Sequence, residues 1–97
     1  SEETDHLFEA ILSLKDLEEC YRFFDDLCTF SEIQSMTQRL QVAEMLEAGN
    51  TFAQISKEIG VSSATITRVN KCISYGADGY KIVLDRMKEK RESGKNA

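Results

Sequence analysis

Proline is absent from this chain, and glycine is confined to Gly49, Gly60, Gly76, Gly79 and Gly94. With so few breakers, the stretches rich in Leu, Glu, Lys, Ala and Met are free to run as helices. Cys20, Cys28 and Cys72 are odd in number and include no C-x-x-C pair, and His6 is the single histidine. That set argues against a disulfide framework and against a zinc site, and it suits a reducing cytoplasm. No apolar run approaches the ~20 residues needed to span a bilayer, and the first residues are acidic rather than basic. The expectation is a soluble cytoplasmic protein with no membrane contact and no signal peptide. Nothing resembles a nucleophile paired with a base or a phosphate-cradling loop, so no catalytic residue is assigned and an enzyme is not expected.

Positive charge is also scarce, with a net charge of −5. Phosphate neutralisation supplies most non-specific affinity for nucleic acid, so this balance at first counts against such a partner. The distribution reverses that judgement. Residues 1 to 50 hold three basic side chains against twelve acidic ones, whereas residues 51 to 97 hold nine against five. The acidity belongs to the front half.

What is present is helical periodicity. Leu7, Phe8, Ile11 and Leu12 recur at helical spacing between Asp5 and Leu14, and Leu17, Cys20, Tyr21, Phe24, Leu27 and Cys28 repeat it more regularly. Glu18, Glu19, Asp25 and Asp26 form solvated faces with no assigned chemistry, and His6 is read as a solvated side chain. Thr29-x-x-Glu32 has capping-box spacing, which predicts a third helix from near Phe30 to Gly49-Asn50, with apolar residues spread widely enough for burial on more than one side. These helices fill residues 5–49, and pairing with a second copy would help, because a chain of 97 residues buries a modest share of its apolar surface alone. Residues 51–74 follow as a paired-helix unit, 78–90 as a last helix in which Asp78 can act as cap, and 91–97 as a frayed tail.

Function concentrates in residues 52 to 69, FAQISKEIGVSSATITRV. Thr51-x-x-Gln54 can box the start of a short helix that Gly60 ends, and Ser62 or Ser63 can cap the next. The small Ser56 stands four positions before Gly60, and Ile55, Ile59, Val61, Ile66 and Val69 fall where two crossing helices must face each other. This is the spacing of a helix-turn-helix. Its second helix would present Ser63, Ala64, Thr65, Thr67, Arg68 and Lys71 away from the apolar stripe. Those groups suit the major groove of double-stranded DNA, with hydroxyls for base edges or phosphates, methyls for thymine, and Lys57 and Lys71 for phosphates. Ser62 joins the candidate contacts because the N–H groups at the helix start favour a phosphate.

At Ala64-Thr65-Ile66-Thr67-Arg68, preceded by an I-x-x-E-I-G-type helix, the sequence resembles the Trp repressor superfamily, in particular its YerC/YecD-type TrpR-like branch. The similarity reaches back through MTQRLQVAEMLEAG and forward into the last helix. It implies an all-α, six-helix TrpR-like fold that interlaces with a second copy into a homodimer, with residues 5–49 as the dimerisation core and the two reading heads meeting successive major grooves. It also implies a small-molecule effector site: Thr29, Arg39 and Arg68 match three corepressor-holding positions of tryptophan-responsive members. Val69 and Cys72 depart from that pattern, standing where a glycine and a serine would be, and Asp26 and Cys28 replace apolar neighbours. A β-branched Val69 should crowd an indole, so tryptophan is not expected to be a tight corepressor, and no cofactor is assigned. Arg39 is expected to pair with an acid such as Glu32 or Glu44, Arg68 to contact phosphate or operator, and Cys72 to act as a small apolar filler rather than a redox sensor. The resulting expectation is a sequence-specific transcriptional regulator, a repressor by resemblance. The alternative is a helix-turn-helix reused as a protein-docking adaptor, which the acidic front half keeps open.

Overall fold

Short polar side chains fix where the helices begin. The computed structural model describes residues 1–96, which form six α-helices and, among these described residues, no strand. Helix α1 is Glu2–Leu12, capped by Ser1, whose Oγ accepts the Thr4 N–H at 3.2 Å. Glu2, Glu3 and Asp5 lie in its first turn, where negative charge meets the positive end of the helix dipole, and the helix therefore starts before the expected Asp5. Helix α2, Leu17–Leu27, is capped by Asp16, which accepts the Glu19 N–H at 2.8 Å, while the Glu19 carboxylate accepts the Lys15 N–H at 2.9 Å. On its exposed face Arg22 pairs with Glu18 at 2.9 Å, a contact of the kind worth about 0.3–0.5 kcal/mol.

Helix α3, Phe30–Glu47, opens on the expected capping box: Thr29 Oγ1 accepts the Glu32 N–H at 3.1 Å and Glu32 Oε1 accepts the Thr29 N–H at 2.8 Å. That backbone N–H, and then the Thr29 side chain, hold the Glu32 carboxyl below the ordinary glutamate range. At the end of the helix the Gly49 N–H bonds Leu46 O at 3.1 Å, and the φ of 89° at Gly49 turns the Asn50 N–H back onto Met45 O at 3.0 Å. Asn50 Nδ2 donates to the same Met45 carbonyl at 3.0 Å, which ties the start of the following segment to α3.

Three helices follow: α4 (Phe52–Ile59), α5 (Ser63–Tyr75) and α6 (Gly79–Asn96). The chain divides into two units, Ser1–Gln34 and a second beginning at Ser35. In the second unit Val42 and Ala43 of α3, Ile55 of α4, Val61 of the turn after it, Ile66 and Val69 of α5, and Leu84 of α6 make one buried cluster, with Leu46, Ile59 and Tyr80 at its margin. Burying an aliphatic side chain of this size stabilises by about 1.5–3 kcal/mol, so this cluster holds the four helices together. The first unit has no equivalent. Neither α1 nor α2 contains a buried residue, and Leu12 is 82% and Leu17 73% exposed.

Within one chain the burial along α3 is confined to one stretch. Only Val42 and Ala43 are buried, and Phe30 and Met36 are exposed. Helix α6 runs to Asn96, into the tail expected to fray from residue 91, while residue 97 lies outside the described residues. Asp78 enters that helix through its backbone: it sits in the left-handed region at φ 64°, and its carbonyl accepts the Ile82 N–H at 3.0 Å.

The turn between α5 and α6 depends on Gly76, whose N–H bonds Cys72 O at 2.9 Å, because a Cβ there would land on that same carbonyl. Gly76→Ala is expected to cost about 1–3 kcal/mol, as overpacking against backbone does. Urea unfolding of the two proteins measures it, and equal midpoints would refute the account of this turn.

Candidate nucleic-acid interface

The pair of helices α4 and α5 is built from caps inward. Thr51 and Gln54 form the expected capping box of α4, with Gln54 N–H to Thr51 Oγ1 at 3.2 Å and Thr51 N–H to Gln54 Oε1 at 2.8 Å. Helix α4 ends at Gly60, which adopts φ 78° and ψ 23° and sends its N–H to Ser56 O at 2.9 Å. No atom crowds a Cβ at Gly60, so glycine is needed there for the left-handed backbone alone. Of the two candidate caps for α5, the structure uses Ser62: its Oγ accepts the Thr65 N–H at 3.2 Å and stands 3.2 Å from Thr65 Oγ1.

Helix α5 then separates its residues by face. Ile66 and Val69 point into the core, at 0% and 1% exposure, while Ser63, Ala64, Thr67, Arg68 and Lys71 are exposed and Thr65 is half-buried. Lys57, in the last turn of α4, is exposed as well. Among the described residues Lys57, Arg68 and Lys71 form no ion pair, and Glu58 is the only acid between residues 51 and 76. The outward face of this helix therefore offers hydroxyls, methyls and unneutralised cations, and its shape is that of a rod held from behind. Such a surface can hydrogen-bond base edges and phosphates together.

The residues matched to an effector site are distributed differently. Thr29 belongs to the first unit, and its hydroxyl is committed to the start of α3. Arg39, half-buried on α3, donates to Ser35 Oγ at 3.5 Å; the expected ion pair with Glu32 or Glu44 is not formed among the described residues. Serine one turn earlier on the same helix offers an acceptor without the cost of ordering a second charge. Arg68 is exposed. Val69 contributes its β-branched side chain to the core. Cys72 is exposed rather than a buried filler, because α5 extends beyond the cluster that covers Ile66 and Val69. It lies in an open apolar groove with Leu40, Ala77, Tyr80 and Val83.

One participant was not evident from spacing. Ser56, read only as small, also donates its hydroxyl to Val61 O at 3.3 Å across the turn. The available signal was a hydroxyl at a position where alanine would have met the steric need.

Comparison with known proteins agrees with this geometry. The family model described as Trp repressor protein matches residues 2–88. The chain is 64% identical over 87 residues to YerC of Bacillus subtilis (strain 168), an uncharacterized protein, covering 90% of this chain and 84% of that one. A crystal structure of a candidate Trp repressor from Staphylococcus aureus superposes with a TM-score of 0.88 at 55% identity, covering 91% of this chain and 88% of the other. A TrpR-like protein from Eubacterium eligens ATCC 27750 gives 0.87 at 49% identity, covering 90% of each.

Because Ser62 caps α5, Ser62→Ala should lower stability by about 1 kcal/mol. Denaturant titration reads that difference, and Ser62→Asp, which restores an acceptor, should recover most of it. An unchanged midpoint for the alanine variant would contradict the capping role.

Proposed function

Since the chain belongs to the Trp repressor family, we propose that it is a sequence-specific, homodimeric DNA-binding regulator of transcription that acts as a repressor in the cytoplasm. The observation that carries this is the division of α5 into a buried stripe, Ile66 and Val69, and an outward face of Ser63, Ala64, Thr67, Arg68 and Lys71. In the complex Lys57, Arg68 and Lys71 neutralise phosphates, while Ser63, Ala64, Thr65 and Thr67 meet base edges. Ser62 places the N-terminal N–H groups of α5 toward a phosphate.

Two features support the dimer. The first unit leaves Phe8, Leu12, Leu17 and Tyr21 exposed, and the second leaves the groove of Leu40, Tyr80 and Val83 open. A second copy is the partner that the family provides for such surfaces. Among the described residues no helix is long and apolar enough to cross a membrane.

Tryptophan is not the effector in this proposal. Val69 occupies the position of the corepressor-contacting glycine, and its side chain is fully engaged in the core. If Arg39 and Arg68 still hold a small molecule, it is an anion of another shape. The net charge of −5 favours one competing use, a docking surface for a protein partner.

Selection of genomic DNA fragments by the purified protein at physiological salt tests the proposal, run with and without millimolar tryptophan. Enrichment of a pseudo-palindromic site, equally strong in both arms, is the expected result. Enrichment only with tryptophan would overturn the effector assignment. Failure of folded protein to enrich any fragment would overturn DNA binding in favour of the docking surface.

A further inference from the structure

The apolar contacts between α4 and α5 are strong but not directional. Ile55 and Ile59 could slide against Val61, Ile66 and Val69 by a fraction of a turn without losing burial, and the start of α5 would swing with them. A directional constraint across the turn is therefore informative, and one exists. The Ser56 carbonyl accepts the Gly60 N–H at 2.9 Å, while the Ser56 hydroxyl donates to Val61 O at 3.3 Å. One residue of α4 thus grips the turn at its entry and at its exit.

The consequence continues along the chain. Val61 O belongs to the peptide that joins Val61 to Ser62, so holding that oxygen sets the plane from which Ser62 leaves. Ser62 in turn caps α5 through the Thr65 N–H at 3.2 Å. Ser56, Val61, Ser62 and Thr65 form a relay of polar contacts from the body of α4 to the first turn of α5. Ser63, Ala64 and Thr65 lie in that turn, at the end of the helix proposed to meet base edges.

We infer that Ser56 is a positioning residue for DNA recognition: its hydroxyl fixes the angle at which the N-terminal end of α5 enters the groove, and so contributes to discrimination between sites rather than to bulk affinity. This rests on the DNA-binding function proposed above. Phosphate contacts from Lys57, Arg68 and Lys71 tolerate small rotations, because a lysine or arginine side chain can follow a phosphate. Short side chains such as Ser63, Ala64 and Thr65 cannot follow a base edge, so discrimination is the quantity that a loosened turn should lose first.

Ser56 is exposed, so Ser56→Ala removes the hydroxyl without opening a cavity, and Ser56→Thr retains a hydroxyl at the same position. Two measurements on the full chain decide the matter. The first is amide hydrogen exchange without DNA. The Gly60, Thr65 and Ile66 amides, which bond Ser56 O, Ser62 Oγ and Ser62 O, should exchange about threefold faster in Ser56→Ala, the scale of one modest hydrogen bond, and return to the wild-type rate in Ser56→Thr. The second is affinity for a selected site and for an unrelated duplex at equal salt. The ratio of the two should fall about threefold in Ser56→Ala with the unrelated duplex bound as before, and recover in Ser56→Thr.

Unchanged exchange would overturn the inference whether or not the protein binds DNA. Faster exchange with an unchanged affinity ratio would also overturn it, leaving Ser56 a structural contact only. Faster exchange in a protein whose wild type binds no duplex would refute the DNA-binding function, and with it the recognition role of Ser56.

Discussion

The packing of one stripe of α5 against α3, α4 and α6 is the contact on which the rest depends. Ile66 and Val69 are fully buried beside Val42, Ala43, Ile55 and Leu84. A helix held on one side must show the other, because residues three and four apart share a face. The outward residues are consequently Ser63, Ala64, Thr67, Arg68 and Lys71, whose hydroxyls, methyls and cations suit the groove contacts proposed for them. Gly60 makes the packing geometrically available, since its left-handed backbone brings α5 back across α4 within a few residues. Caps at both starts, Thr51 and Ser62, then fix where each helix begins.

The front half obeys a different constraint. Its apolar residues are arranged for burial that one chain does not supply: Phe8, Leu12, Leu17, Tyr21 and Phe30 remain exposed. In the proposed dimer these residues are the surface that the second copy covers. The acidic side chains lie on the same helices, where Glu2, Glu3 and Asp5 support a helix start and Glu18 pairs with Arg22. Acidity there has local structural uses, which explains how a chain with a net charge of −5 can carry a head whose cations go unneutralised.

Much of this was legible in the sequence wherever a local rule acts alone. Thr29-x-x-Glu32 and Thr51-x-x-Gln54 form capping boxes as spaced, Gly49 and Gly60 adopt positive φ, and Ile55, Val61, Ile66 and Val69 meet in one core. What escaped depends on tertiary context. The exposure of Cys72 follows from where the core ends along α5, and the Arg39–Ser35 contact from which neighbour the side chain meets on its own helix. Asp78 is on the helix boundary as expected, but enters α6 from a left-handed backbone that no spacing rule indicates. The hydroxyl of Ser56 is the subtlest instance: its size was readable, and its bond across the turn was not.

The most direct test of the central claim, that the outward face of α5 meets the DNA backbone and bases, is the salt dependence of site affinity for wild type and for Arg68→Ala. Each phosphate neutralised in duplex DNA contributes about 0.9 to the slope of log affinity against log salt. Arg68→Ala should bind more weakly at low salt, by roughly tenfold for a lost charge contact, with a slope shallower by about 0.9. A variant with wild-type affinity and wild-type slope would place the interface elsewhere on the protein.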